Sequence, residues 1–292
     1  MALLDLKNRL RRFLAEILHH EQRSFAQYVG DDTIVMGGPD GMFLYLDGRD
    51  ASLTPSLLRD RAWEPAIGRW LTQNLRAGEC FVDIGANIGF HALMVARHVG
   101  ANGLVVGFEP QQRPLQLFKR SISANNMGAF VHAKGLAIGD REDRVRLGKF
   151  EHLTGSATLT GNELIVDYEE VAMATLPAAL EQLAAEIHRA CSPDAIKIDV
   201  EGFEVELWEG MKAWVREKDK LAIILEYSPV SYRDRGSDPL ALLEDFAHYG
   251  FAVTLLNEDG STHELSRAEW VELANAQRQY DLVLIKGGER RL

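Results

Sequence analysis

The chain has 292 residues, of which 43 are acidic and 32 basic, for a net charge of −11. That length can bury a full core for one large domain plus an accessory segment, and no low-complexity tract interrupts it. The negative charge argues against a nucleic-acid partner and suits a neutral or cationic small ligand. Only Cys80 and Cys191 are present, which indicates neither a disulfide framework nor a zinc knuckle and leads us to expect reduced thiols in a cytoplasmic protein.

The first twenty residues place Leu3, Leu6, Leu10, Phe13 and Ile17 at spacings of three and four, with Lys7, Arg9, Arg11 and Arg12 among them. This is the pattern of a basic amphipathic helix. Its apolar residues form no uninterrupted block, so neither a signal peptide nor a transmembrane span is expected. We read it as a helix packed on the domain or on a second copy in a homodimer, with attachment to an anionic membrane surface as the alternative. Two short apolar runs around Gly37-Gly38-Pro39-Asp40-Gly41 then signal a hairpin. Residues 1–60 are thus expected to be an accessory helix and hairpin, and 61–292 the main domain.

A helical stretch from about Ala62 to Leu75 leads into alternating strand-like and helix-like segments. Strands are expected at Cys80–Ile84, Leu104–Phe108, Phe130–Lys134, Ala195–Val200, Leu221–Tyr227, Phe251–Leu256 and Asp281–Lys286. Helices are expected at His91–Val99, Gln112–Asn125, Leu176–Ala190 and Val205–Val215. Such alternation predicts an α/β fold whose seven-stranded, mostly parallel sheet carries helices on both faces, with ligands at the carboxyl ends of its strands.

Three of those strand ends carry chemistry. The first ends in "VDIGANIGF", where Asp83, Gly85 and Gly89 form D-x-G-x-x-x-G. Without G-K-[ST] it is no P-loop. Asn87 stands where the dinucleotide fingerprint needs a glycine to admit a pyrophosphate. A ligand lacking pyrophosphate, such as S-adenosylmethionine, makes no such demand. The next strand ends in "GFEP", whose Glu109 can accept both ribose hydroxyl protons or, alternatively, cap a helix. The third stretch, "IKIDVEGFE", places Asp199 and Glu201 two apart, on the same side if the strand persists. "ILEYSP" adds Glu226 at the following strand end.

"FVDIGANIGF", "GFEP", "IKIDVEGFE" and "ILEYSP" together resemble the FkbM-type methyltransferases over roughly Phe81 to Lys286. The combination of G-A-N-x-G with K-I-D-V-E-G carries the resemblance, whereas D-x-G-x-x-x-G alone marks only the wider class of S-adenosylmethionine-dependent enzymes. The resemblance implies a Rossmann-like class I methyltransferase fold. It places the methionine end of the cofactor on Asp83, Gly85, Asn87 and Gly89, the ribose on Glu109, and Asp199 at the active-site edge. "TGSATL" around Ser156 is similar to a serine-containing segment of the family. The implied activity is O-methylation of a hydroxyl on a sugar, glycan or secondary metabolite.

In that reaction Asp199 is expected to orient or deprotonate the acceptor hydroxyl, with His152 as the rival base. S-adenosyl-L-methionine is the expected cofactor. The alternative for catalysis is a magnesium ion held by Asp199, Glu201 and Glu226. The variable stretch from Lys149 to Glu170 and the segment after the fifth strand supply His152, Tyr168, Tyr232 and Arg233, either as a grip for a glycan or as ordinary loop residues. An NAD-dependent oxidoreductase and a noncatalytic S-adenosylmethionine-binding module are the alternatives from other classes.

Overall fold

The computed structural model describes residues 25–38, 41–150, 157–158 and 165–287. The amphipathic segment before Ser24 and His152 lie outside the described residues. Chain order begins with β1 (Ala26–Tyr28), β2 (Thr33–Gly37) and β3 (Phe43–Asp47), an antiparallel sheet whose last turn lies where the glycine-rich run predicts it. Two helices follow, α1 (Leu53–Asp60) and α2 (Pro65–Asn74), where one was expected from Ala62. Arg61 and Glu64 take left-handed φ values of +54° and +42° between them, and Pro65 cannot continue a preceding helix, so the chain breaks there.

The main sheet is built from β4 (Cys80–Ile84), β5 (Leu104–Phe108), β6 (Val131–Lys134), β11 (Ala195–Ile198), β12 (Leu221–Tyr227), β13 (Phe251–Leu256), β14 (Thr262–Glu264) and β15 (Tyr280–Lys286). Its order is β14-β13-β15-β12-β11-β4-β5-β6. The seven long strands are those expected, and the short β14 adds an eighth at the edge. Pairing is parallel from β6 through β12 and antiparallel around β15. Successive strands leave β4 in opposite directions, β5 to one side and β11 to the other. A crevice therefore opens at the carboxyl ends of β4 and β11.

Alternation along each strand sorts the core into two layers. Phe81, Val105, Ala195, Ile224 and Val283 face α2, α3 (Phe90–Val99) and α4 (Gln112–Ala124). Met36, Leu44 and Leu46 of the hairpin join this same cluster. Val82, Val106, Ile196, Ile223 and Leu284 face α5 (Leu176–Ile187), α6 (Glu204–Arg216), α8 (Pro239–His248) and α9 (Arg267–Asn275), with the short α7 (Pro229–Asp234) beside them. Burial of both faces explains why the strands read as nearly unbroken apolar runs. No helix among the described residues is long and apolar enough to cross a membrane.

A second small sheet stands between β6 and α5. It comprises β7 (Ala137–Ile138), β8 (Asp143–Phe150), β9 (Ala157–Thr158) and β10 (Ile165–Ala174), in the order β7-β10-β8-β9. Asp143, Arg144, Arg146, Asp167 and Glu170 make its strands mostly polar, which hides them from an apolar-run reading. Among its described side chains, Ala137, Leu147, Val171 and Met173 form a small buried cluster.

Candidate active site

The crevice is open to solvent and spans about 1070 Å³, of which a cavity of about 130 Å³ lies within its walls. Its lining takes in the turn after β4, Glu109 with Pro110 and Gln111, and Trp63 with His91. Leu136, Ile138 and Leu147 bring the small sheet in as a wall. Asp83, Gly85, Asn87, Glu109 and Asp199 all line this single space, so the structure brings together residues separated by more than a hundred positions.

The glycine turn is dictated by packing as well as by its place in the crevice. Gly85 has φ +81°, and a Cβ there would collide with the Asp199 carbonyl oxygen and lie 2.9 Å from its carbon. The ends of β4 and β11 thus approach too closely for any side chain. Gly89 has φ +80°, and its Cβ would sit 2.5 Å from Cγ of Phe118 on α4. Gly89 is the glycine of the turn that lies outside the crevice lining; it lets α3 and α4 pack behind the turn. Asn87 adopts φ +51°, a conformation that asparagine tolerates better than most side chains.

Glu109 is 3% exposed. Its Oε2 accepts the Asn87 backbone N–H at 2.8 Å and its Oε1 accepts that of Gln111 at 2.8 Å. One carboxylate spans from the glycine turn to the start of α4 and keeps spare lone pairs toward the crevice. Burial raises its pKa to about 7, against the opposing pull of those two N–H groups.

β11 ends at Ile198, and Glu201 and Gly202 turn through positive φ. Asp199 and Glu201 therefore do not share a strand face, because the strand does not persist beyond Ile198. The turn is tied by Glu204, whose Oε1 accepts the N–H groups of Val200 at 3.0 Å and Gly202 at 3.2 Å. This accounts for the last acid of "IKIDVEGFE". Glu204 is 1% exposed, and burial raises its pKa to about 7.

Strand register places a charged group under the crevice. Lys197 is aligned with Asp83 of β4 and, like it, points toward the α2/α3 layer. It is 4% exposed, and its Nζ donates to Asp199 Oδ2 at 2.8 Å. Burial works to discharge this ammonium, but Asp199, Glu64 and Asp83 outweigh it and hold its pKa above the ordinary value. A lysine amid an apolar strand was the available signal for this residue. Glu64 and His91 offered none, since one sits in a loop and the other opens an amphipathic helix.

Around Lys197 the buried groups are acceptors. Asp83 is 1% exposed, its Oδ1 accepts no hydrogen bond from the protein, and burial raises its pKa to about 6. His91 is 4% exposed; burial and the Lys197 charge push its pKa down to about 3, so the ring is neutral. Glu64, at the strained entry to α2, puts Oε2 3.7 Å from His91 Nδ1 and 4.0 Å from Lys197 Nζ. Its pKa is raised, first by burial and then, against the pull of Lys197, by Asp199, Asp281 and Asp83.

Other sequence candidates fall elsewhere. Glu226 lies outside the crevice lining, directly across from Asp281 on β15, and accepts from Gln279 Nε2 at 3.2 Å. Its pKa is raised by burial and by Asp199, Glu201 and Glu204. Asp199, Glu201 and Glu226 do not converge as ligands, and no three His, Cys, Asp or Glu among the described residues are grouped to hold a metal ion. Tyr232 is fully buried and donates to the Glu226 carbonyl at 3.1 Å. Arg233 donates to the carbonyls of Ala274 and Ala276 at the end of α9. Packing and capping therefore occupy both residues, in place of a glycan grip. Tyr168 is exposed on β10 with the Arg146 guanidinium over its ring.

Residues 83–253 match the Methyltransferase FkbM domain. The chain is 25% identical over 235 residues to Methyltransferase sdnD of Sordaria araneosa, an alignment covering 70% of this chain and 84% of that protein. Among solved structures, it is similar to a SAM-dependent O-methyltransferase of Thermotoga maritima, with 12% identity, a TM-score of 0.43, and 92% and 88% of the two chains covered. It is also similar to an O-methyltransferase of Bacillus cereus in complex with SAH, with 14% identity, a TM-score of 0.42, and 80% and 86% covered. The family match spans more than half of the chain and answers the oxidoreductase alternative. The chain belongs to the FkbM family of S-adenosylmethionine-dependent methyltransferases.

Proposed function

We propose that this protein methylates a hydroxyl oxygen of a sugar, glycan or secondary metabolite, with Asp199 orienting the acceptor. The observation that carries this reading is the Asp199 carboxylate, which lines the crevice beside the glycine turn with one oxygen fixed by Lys197. The remaining oxygen can accept a hydrogen bond from an acceptor hydroxyl. The donor set fits the cofactor: Glu109 spans toward the glycine turn as a ribose acceptor, and Asp83 presents an unpartnered acceptor oxygen for its cationic end. Gly85, Asn87 and Gly89 shape the backbone around it.

When bound there, S-adenosylmethionine supplies an electrophilic methyl carbon. The protein must then hold the hydroxyl in line with that carbon and draw its proton away as the carbon–oxygen bond forms. The hydrogen bond from Lys197 fixes one oxygen of Asp199, which suits the carboxylate to orienting the acceptor hydroxyl.

Asp199→Asn tests the assignment, since it keeps size and removes charge. Turnover should fall by about 10²–10⁴-fold with S-adenosylhomocysteine still bound. Near-normal turnover refutes the role. Unchanged Asp199→Asn turnover with inactive His152→Ala transfers it to His152, and activity lost to a chelator and restored by magnesium transfers it to a metal.

A further inference from the structure

Part of the crevice wall comes from outside the matched family domain. Asp50, Ser52, Leu53 and Trp63 line the same space as Asp199, yet they precede residue 83, where the match begins. They belong to α1 and its two flanks.

Asp50 is the charged residue of these four and is 7% exposed. Its Oδ2 accepts the Thr54 backbone N–H at 2.7 Å, and the Thr54 hydroxyl donates to the Asp47 carbonyl at 2.8 Å, so the start of α1 holds the carboxylate in place. Asp47 is in turn paired with Arg113 on α4. Oδ1 is also buried, but it accepts no hydrogen bond. Capping of α1 therefore accounts for one oxygen of Asp50 and leaves the other unexplained. A buried carboxylate oxygen without a partner is costly, and a donor on a ligand removes that cost.

The charges of the wall restrict what that ligand is. Asp50, Asp83, Glu109, Asp199 and Glu201 all line the crevice, against Lys197, whose ammonium is committed to Asp199, and His91, whose ring is neutral. Among the described residues, no lining cation is left for a phosphate or a carboxylate. A hydroxyl is a donor without charge, and a sugar ring adds an apolar C–H face that suits the half-buried indole of Trp63. The cofactor reading uses Asp83 and Glu109 at the ends of β4 and β5. Asp50 is left for the second molecule that methyl transfer requires.

We propose that Asp50 is an acceptor-binding residue, its Oδ1 taking a hydrogen bond from a hydroxyl of an uncharged sugar ring. This rests on the methyltransferase reading and deepens it. Acceptor recognition draws on a segment that precedes the family domain, and it discriminates against rings that carry a negative charge.

Saturation-transfer NMR titration of the protein loaded with S-adenosylhomocysteine tests this. The probes are the methyl glycosides of glucose, galactose and mannose, each beside its uronide, which differs by one carboxylate. The unaltered protein should bind at least one uncharged glycoside, at least about tenfold more tightly than its uronide, because like charges brought together are strongly unfavourable. Asp50→Asn keeps the Thr54 bond, since that N–H selects the amide oxygen, and it puts the amide nitrogen in the place of Oδ1. Glycoside affinity should then fall at least about fivefold, because a hydrogen bond to a carboxylate is the stronger kind, while S-adenosylhomocysteine affinity and unfolding temperature hold. Asp50→Ala removes the cap as well and should also unfold at a lower temperature. Unchanged glycoside binding in Asp50→Asn leaves the residue a helix cap and overturns the proposal, as does a loss of S-adenosylhomocysteine affinity in its place. Absence of glycoside binding to the loaded, unaltered protein, or no preference over the uronide, overturns it without any variant. If the unaltered protein does not bind S-adenosylhomocysteine, the methyltransferase reading itself falls, and the proposal with it.

Discussion

Gly85→Ala adds a single methyl group at the contact that holds the crevice together. The new Cβ would lie 2.9 Å from the Asp199 carbonyl carbon and closer still to its oxygen. Restoring the usual separation of about 3.5–4.0 Å requires the ends of β4 and β11 to part by at least about 0.6 Å. Neither strand yields easily, since Asp199 N–H donates to the Ile84 carbonyl at 3.1 Å and both strands lie inside the sheet. Overpacking of this kind costs about 1–3 kcal/mol, and a side chain at positive φ about 1–2 kcal/mol more. A loss of about 2–5 kcal/mol follows, or about 5–15 °C in unfolding temperature for a domain of this size. Gly78→Ala is the control, because Gly78 also has positive φ, at +89°, but nothing lies within 4 Å of its Cβ. Thermal unfolding of both variants, with S-adenosylhomocysteine titration below the transition, separates the two contributions. If Gly85→Ala is no less stable than Gly78→Ala and binds normally, the close approach of Asp199 to the glycine turn is refuted.

Two pH-dependent outcomes follow from the buried carboxylates. Glu204 has a folded-state pKa of about 7, above its ordinary value, so its stabilising contribution is complete at low pH and is lost as pH rises through about 7. Glu204→Gln keeps the acceptor for Val200 and Gly202, so denaturant unfolding should show it more stable than the unaltered protein at pH 8, by up to about 3 kcal/mol. Its advantage should vanish below about pH 4.5, whereas Glu204→Ala should be destabilised at both extremes; parallel pH curves for the Gln variant and the unaltered protein would contradict the assignment. Asp83 and Glu109, raised to about 6 and about 7, should be drawn back toward ionisation by a bound cation and by ribose hydroxyls. Binding should then release protons and weaken as pH falls from 8 to 5.5. Calorimetry in buffers of different ionisation enthalpy measures this, and pH-independent affinity without proton release speaks against both contacts.

The legible part of this protein is local. Strands covered on both faces must be continuously apolar, so Cys80–Ile84, Leu104–Phe108 and Leu221–Tyr227 announce themselves with correct boundaries. A turn that excludes side chains must be glycine, and acids at strand ends are conspicuous beside apolar residues, so Gly85, Glu109 and Asp199 could be found before any coordinates. The break at Arg61–Glu64 and the polar strands of the second sheet lacked such signals. Their conformation depends on neighbours distant in sequence.

Tertiary structure decided what those residues touch. Pairing of β4 with β11 alone sets Lys197 beneath Asp83 and presses the Asp199 carbonyl against Gly85. The packing of α2 on α3 alone brings Glu64 to His91. Packing of α7 against β12 and the end of α9 turned Tyr232 and Arg233 from loop candidates into a buried anchor and a cap. A sequence records which groups can carry charge, but partners and desolvation determine whether they do, and both arise only when distant segments close the same space.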